Sequence, residues 1–232
     1  MVKKAVCLVS GGLDSCVTSH IAKNEGYDIF ALTFNYSQRH KREIQSAKKI
    51  AATINAKNHI VFNLDLRKFG GSSLVDKLTT PEKDQTLEEI GKKIPTTYVP
   101  ARNTIFLSIA LAYAETLDAE AIFIGATATD YSGYPDCRPE FIKTFQKLTN
   151  IATKKGIEGK TIEIIAPLLN MSKAEIIKKG IELKAPLEET WSCYIGKVKA
   201  CGRCDSCLLR LKGFKVARVK DPIEYEVVPN WY

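Results

Sequence analysis

No stretch of this sequence is apolar for long enough to cross a bilayer: the longest run, residues 104–114, is about half of the roughly 20 residues a spanning helix needs. No secretory leader is visible, because Lys3 and Lys4 precede an apolar run that Gly11 and Gly12 soon interrupt. A soluble, cytoplasmic protein is expected. Histidine is scarce, and His20, His40 and His59 have no metal-ligand spacing, so core-edge or surface roles are expected of them. Acidic residues are outnumbered, 26 against 34 Lys and Arg, for a net charge of +8. The basic residues are spread along the chain apart from short clusters such as residues 39–42, which suits solvated helix faces and anionic small molecules better than RNA or DNA.

What is present argues for a packed α/β domain. With 232 residues and 45% hydrophobic content, the chain can bury a sizeable core in one large domain with a small appendage. Short apolar runs rich in β-branched residues occur at residues 5–9, 29–34, 59–64, 121–124 and 161–165, with helix-like segments between them. That alternation predicts a parallel sheet wrapped by helices on both faces. The first helix is expected near Asp14, with Leu13, Val17 and Ile21 inward and Gly26 just past its end. A second spans residues 43–54, with Ile44, Ala47, Ile50 and Ala51 inward; a third, 103–117, is apolar nearly all round and is expected to be the most buried. Residues 67–100 are polar and carry Gly70-Gly71, Pro81 and Pro95, which predicts a long loop with one short helix near 87–92. Ser172 and Glu175 form a capping box ahead of a helix with Ile176, Ile177 and Ile181 as its apolar face. The expected division is a catalytic domain at 1–187 and a cysteine-rich appendage with its tail at 188–232.

The first apolar run leads directly into Ser10-Gly11-Gly12-Leu13-Asp14-Ser15, a glycine-rich turn that opens a helix. Glycines there allow positive φ and close approach to an anion, and the helix N-terminus adds partial positive charge. Asp14 would repel a bare anion but suits Mg²⁺ bridging a carboxylate and phosphate oxygens. The turn matches neither G-x-x-x-x-G-K-[ST] nor G-x-G-x-x-G, which argues against a Walker NTPase and a dinucleotide dehydrogenase. Expected nucleotide contacts run through Leu8, Val9, Ser10, Gly11, Gly12, Leu13, Asp14, Ser15, Cys16, Val17 and Thr18.

The cysteines number seven, an odd count, and Cys193, Cys201, Cys204 and Cys207 form C-x₇-C-x₂-C-x₂-C. Four soft ligands at this spacing suit a closed, structural tetrahedral Zn²⁺ site, with an iron–sulfur cluster as the rival. Cys7 and Cys16 read as core packing.

S-G-G-x-D-S is identified with the PP-loop of the ATP pyrophosphatase superfamily. Three further segments, residues 34–40, 99–104 and 130–138, together with the cysteines, resemble the 7-cyano-7-deazaguanine synthase family over essentially the whole chain. The resemblance implies an adenine nucleotide alpha hydrolase-like (Rossmann-like) fold, a homodimer, and cleavage of ATP between its α and β phosphates with AMP transfer to the substrate. It also implies conversion of 7-carboxy-7-deazaguanine and ammonia to the nitrile, in the route to queuosine or archaeosine, with ATP as co-substrate, Mg²⁺ beside it and structural Zn²⁺. Asp14, Ser15 and Arg102 are the catalytic candidates; Tyr36, Tyr131, Tyr134, Asp136 and Arg138 are the candidates for holding the substrate, by stacking, base recognition or a guanidinium grip. Another adenylating enzyme of the superfamily, of tRNA-thiolating or NAD synthetase type, and a non-catalytic zinc-stabilised nucleic-acid-binding protein remain as rivals.

Overall fold

The structure, a computed structural model, describes residues 2–38, 42–76, 78–127, 133–196 and 198–232. In β1 (Lys4–Leu8) successive side chains point to opposite faces, and both faces are apolar. Ala5 and Cys7 pack into one core, Val6 and Leu8 into another. A strand buried on both sides needs cover on both sides, the condition of a parallel sheet flanked by helices.

The chain meets that condition with α1 (Leu13–Asn24), β2 (Asp28–Asn35), α2 (Arg42–Thr53), β3 (Asn58–Asn63), α3 (Arg102–Thr116), β4 (Ala121–Phe123), α4 (Pro139–Ala152), α5 (Lys154–Ile157), β5 (Glu163–Ile165), α6 (Lys173–Glu182) and α7 (Asp205–Ala217). The strands lie in the order β3-β2-β1-β4-β5, all parallel. One face carries residues of α1, α2, α6 and α7, the other residues of α3 and α4. The chain winds outward from β1 through β2 to β3, then returns to the opposite side of β1 with β4. That reversal opens a crevice at the carboxyl ends of β1 and β4, where open α/β sheets bind ligands. Among the described residues no helix is long and apolar enough to cross a membrane.

The glycine past α1 and the capping box of α6 form as expected: Gly26 has φ +82°, and Ser172 and Glu175 hydrogen-bond reciprocally. Three expectations are corrected. The most buried helix is α1, with eight of twelve residues buried, against five of fifteen in α3; α1 is wedged between the sheet and α6, whereas α3 covers one sheet face and leaves Ser108, Ala112 and Thr116 to solvent. Residues 87–91 form turns, not a helix: Glu89 accepts from the Thr86 backbone N–H and hydroxyl as at a helix start, and the Ile90 N–H reaches the Thr86 carbonyl, but at Gly91 φ turns to +88° and the chain leaves the helical path. Ile181 is exposed; the inward position belongs to Gly180, where an added Cβ would lie 2.9 Å from both Leu187 and Val17. Within the cysteine-rich segment α7 is a regular helix, and its Phe214 and Ala217 join the core that also holds α1 and α6.

Candidate active site

The glycine-rich turn sits at the crevice. Gly11 has φ +92°, and a Cβ there would lie 2.1 Å from the Glu43 carbonyl oxygen, so both its backbone angle and its neighbour demand glycine. Gly12 is different: its φ of −80° is open to any residue, which corrects the expectation of two left-handed glycines. Hydroxyls hold the turn in shape, since Ser15 Oγ donates to the Gly12 carbonyl at 3.0 Å and accepts from the Ser10 backbone N–H at 3.2 Å. Gly125, after β4, packs so closely that a Cβ would come within 3.0 Å of the Asp14 and Ser15 backbone.

A cavity of about 300 Å³ opens over this turn. Leu8, Val9, Ser10, Gly12, Leu13, Asp14 and Ser15 line it. Cys16, Val17 and Thr18 stand back in the buried body of α1, and the Gly11 carbonyl is taken by the Trp191 N–H at 2.8 Å. Asp14 is not a free carboxylate: Lys173 Nζ reaches its two oxygens at 2.8 and 3.0 Å. No local pattern marks Lys173 as part of the site, because α6 brings it there from 159 residues away.

At the opposite end Arg102 enters from the first residue of α3. It follows Ala101, a non-glycine residue at φ +54°, a conformation costing about 1 kcal/mol. Its guanidinium hydrogen-bonds with Tyr36 and lies 6.0 and 5.7 Å from the Tyr36 and Tyr134 ring centroids. Burial pushes the Tyr36 phenol up to about 12, against the pull of Arg102. Beside them is Glu43, which burial raises to about 7 even though Arg102 and a hydrogen bond from Gln38 favour its charge. In the sequence Glu43 looked like an ordinary acidic residue at a helix start; its burial against Arg102 is a tertiary effect.

The remaining substrate candidates separate. Asp136 is buried and its Oδ2 accepts the backbone N–H of Asn103 at 2.8 Å, so it satisfies an orphan donor at the start of α3 and does not line the cavity. Arg138 is exposed at the N-cap of α4, also outside the lining. Tyr131 and His40 lie outside the described residues. His20 and His59 bond within the core edge, to the Cys16 carbonyl and Thr33 hydroxyl.

Cys193, Cys201, Cys204 and Cys207 converge with all four sulfurs within 4.8 Å of one another, and all are buried. The Cys201 and Cys207 sulfurs are 3.9 Å apart, against about 3.8 Å for a tetrahedron with ~2.3 Å bonds. Backbone N–H groups of residues 195, 196 and 201 point at the Cys193 sulfur, as thiolate charge requires. Gly202, at φ +72°, has no room for a Cβ because the Val227 carbonyl closes over it. The donor set fits a structural metal and offers no open position. Behind it Arg210, 2% exposed, clamps Asp221 through two hydrogen bonds of 2.7 and 2.9 Å and donates to Thr190 Oγ1, which fixes the segment that carries Trp191 to the turn.

A family model described as queuosine biosynthesis protein QueC matches residues 4–218. Proteins named 7-cyano-7-deazaguanine synthase are similar from end to end. That of Geobacter sp. (strain M21) is 54% identical, over 97% of this chain and 99% of its own. That of Picrophilus torridus is 53% identical, over 99% and 94%, and that of Coxiella burnetii 55%, over 97% and 98%. The structure of NMN synthetase from Francisella tularensis shares 16% identity and a TM-score of 0.48 over 94% of this chain and 79% of that one, a likeness of outline only. With its glycine-rich turn, its four converging cysteines and this similarity along its whole length, the chain belongs to the QueC family of 7-cyano-7-deazaguanine synthases.

Proposed function

We propose that the chain converts 7-carboxy-7-deazaguanine and ammonia to 7-cyano-7-deazaguanine, consuming two ATP and releasing AMP and pyrophosphate, on the way to queuosine or archaeosine. The observation that carries the reading is that one cavity joins the Ser10–Ser15 turn to an aromatic wall bearing Arg102 and Glu43. A carboxylate is inert to ammonia, so one oxygen must first become a leaving group. It attacks the α-phosphorus of ATP, pyrophosphate leaves, and an acyl adenylate forms. Ammonia displaces AMP and loses a proton to give the amide. The amide oxygen attacks a second ATP in the same way, pyrophosphate leaves, and loss of AMP and of the two protons on the amide nitrogen then gives the nitrile.

Backbone N–H groups of the turn, the Ser10 and Ser15 hydroxyls and the α1 N-terminus support the phosphates, and Lys173 adds a cation where negative charge develops. Arg102 suits either the substrate carboxylate or a phosphate, since a planar guanidinium meets both with paired N–H groups. Tyr36 and Tyr134 present ring faces to a flat purine-like base. Asp14 is the residue that would hold Mg²⁺, and the ion would supply charge neutralisation to the phosphates there. The four cysteines would hold Zn²⁺ as a staple.

Mass spectrometry of products from protein, ATP, Mg²⁺, ammonium and 7-carboxy-7-deazaguanine tests this. Nitrile with AMP and pyrophosphate is expected; pyrophosphate release without nitrile, or only with another carboxylate, overturns the substrate assignment.

A further inference from the structure

A second cavity, of about 430 Å³, adjoins the first, and Tyr134, Tyr194, Ser206 and Leu209 line both. Its walls come from the long loop that precedes α3 and from the first turn of α7. The loop is fixed there: Asp84 receives two 2.7 Å hydrogen bonds from Arg203, and Lys83 bridges to the backbone of Cys204. Three carboxylates, Glu82, Glu89 and Asp205, line this second cavity. Glu89 is satisfied by Thr86, and one Glu82 oxygen by Gln85. Asp205 is not satisfied: the residue is 8% exposed, and its Oδ1 is buried with no hydrogen-bond partner.

A buried carboxylate oxygen without a donor is costly and calls for one. Glu82 is near enough for its charge to bear on Asp205, so a cation between them also relieves the repulsion of like charges. The Lys92 and Lys93 side chains at the rim are exposed, and neither reaches Asp205 Oδ1. A polar seam leads from this cavity toward the first: Thr97 pairs with the Tyr134 hydroxyl at 2.9 Å, and Tyr134 with Tyr194.

We propose that this second cavity is a binding site for ammonium, a small cation with N–H donors, held by Asp205 and Glu82 next to the cavity where nitrogen is consumed. The inference rests on the reading of ammonia as the nitrogen donor. The shared Tyr134–Tyr194 wall places the bound cation one residue layer from the Arg102 end of the reaction cavity, and the acidic lining concentrates it from dilute solution.

The test uses the full-length, metal-loaded protein, with ammonium chloride varied at constant pH and ionic strength. Glu82→Gln and Asp205→Asn are expected to raise KM for ammonium about tenfold, as loss of one charged hydrogen bond does. The kcat at saturating ammonium and the KM for ATP should stay within about twofold. Glu82→Gln lies outside the cysteine cluster and serves where Asp205→Asn disturbs folding. Melting temperature gives a readout independent of turnover: ammonium chloride at about ten times its Kd should raise it by about 3–5 °C over tetramethylammonium chloride in the unaltered protein, and not in Glu82→Gln. An unchanged KM for ammonium in folded variants, with no ammonium-specific melting shift, overturns the site while leaving the synthase reading intact. A melting shift without any ammonium-dependent product keeps the cation site and overturns the synthase reading.

Discussion

Lys173 Nζ lies 2.8 and 3.0 Å from the two carboxylate oxygens of Asp14, so the acidic residue of the glycine-rich turn carries its own counter-charge. The turn and α6 are thereby locked to each other across the sheet's carboxyl edge. Any cation that joins Asp14 there shares the carboxylate with an ammonium already aimed at the same space. Lys173 is both a spacer for Asp14 and a positive charge in the lining of the cavity over the turn.

Replacing Lys173 with Met keeps the stem and removes the charge. The expected result is a fall in kcat of about 10²–10³-fold, the usual scale for one electrostatic stabiliser of a developing anion. Pyrophosphate release measures it, and Lys173→Arg should recover part of the loss. A Lys173→Met protein with unaltered kcat would reduce the residue to a structural partner of Asp14.

The two glycines of the turn should respond very differently to alanine. At Gly11 the new Cβ meets the Glu43 carbonyl at 2.1 Å and φ is +92°, so a loss of more than about 3 kcal/mol is expected. At Gly12 the nearest atom is Ser10 Oγ at 3.5 Å, an ordinary contact, so stability should change by less than about 1 kcal/mol. Melting temperatures without nucleotide separate the two, because Gly12→Ala also places a methyl in the lining of the cavity, where the proposed function puts phosphate.

This contrast shows where the sequence was legible and where it was not. The strand–turn–helix, the five strands and the cysteine spacing rest on local chemistry: short β-branched apolar runs, a motif, a ligand repeat. Which of the adjacent glycines is strained depends on α2 lying against the turn, and no window around residue 11 contains that fact. Glu43 and Lys173 were missed for the same reason, each being an unremarkable charged residue on its own helix. That Asp136 Oδ2 accepts the Asn103 N–H was equally hidden, because the two residues are 33 positions apart. The helix α7 was hidden by the cysteines at its start, although Leu208, Leu211 and Phe214 carry its buried stripe.

Glu43 offers a pH test. Its carboxyl rises from 4.5 to about 7 on folding, chiefly through burial, while Arg102 and Gln38 favour the charged form and Cys193 opposes it. The folded state therefore binds this proton more tightly than the unfolded chain. The stability so conferred is complete below pH 4.5 and is lost as pH rises through 7, a change of roughly 3 kcal/mol. Glu43→Gln does not titrate, so its stability relative to the unaltered protein should improve by about that amount between pH 5 and pH 8. Denaturant unfolding at the two pH values measures it; a constant difference would mean that Glu43 does not take up a proton on folding.

The Arg210–Asp221 pair is buried at both ends, with side chains 2% and 1% exposed, and Tyr225 also donates to Asp221. Asp221→Ala strands the guanidinium, and such losses run to about 3–5 kcal/mol. Because Arg210 also holds Thr190, next to Trp191, the variant should lose ATP affinity along with stability. Unfolding and ATP-binding measurements on one preparation show whether the two losses travel together.

Metal removal probes the same connection from the other side. Without an ion, four sulfurs gathered within 4.8 Å become thiols that no longer attract one another, or thiolates that repel. Zinc-finger peptides gain about 10–16 kcal/mol from their ion, far more than the small apolar cluster around Trp191 and Tyr225 supplies by itself. The tail pairs with Ala200 through Glu224 and Glu226, so it should come away with the cysteines, and α7 should lose its hold on the core that Phe214 enters. Chelation is therefore expected to expose the segment after residue 187 to proteolysis, lower the melting temperature and abolish pyrophosphate release, because the Trp191 N–H then no longer anchors the Gly11 carbonyl. Added Zn²⁺ should restore all three at one ion per chain, and a colourless protein would separate zinc from an iron–sulfur cluster. A chelated protein that melts and turns over unchanged would show that the four cysteines do not hold a metal that the fold depends on.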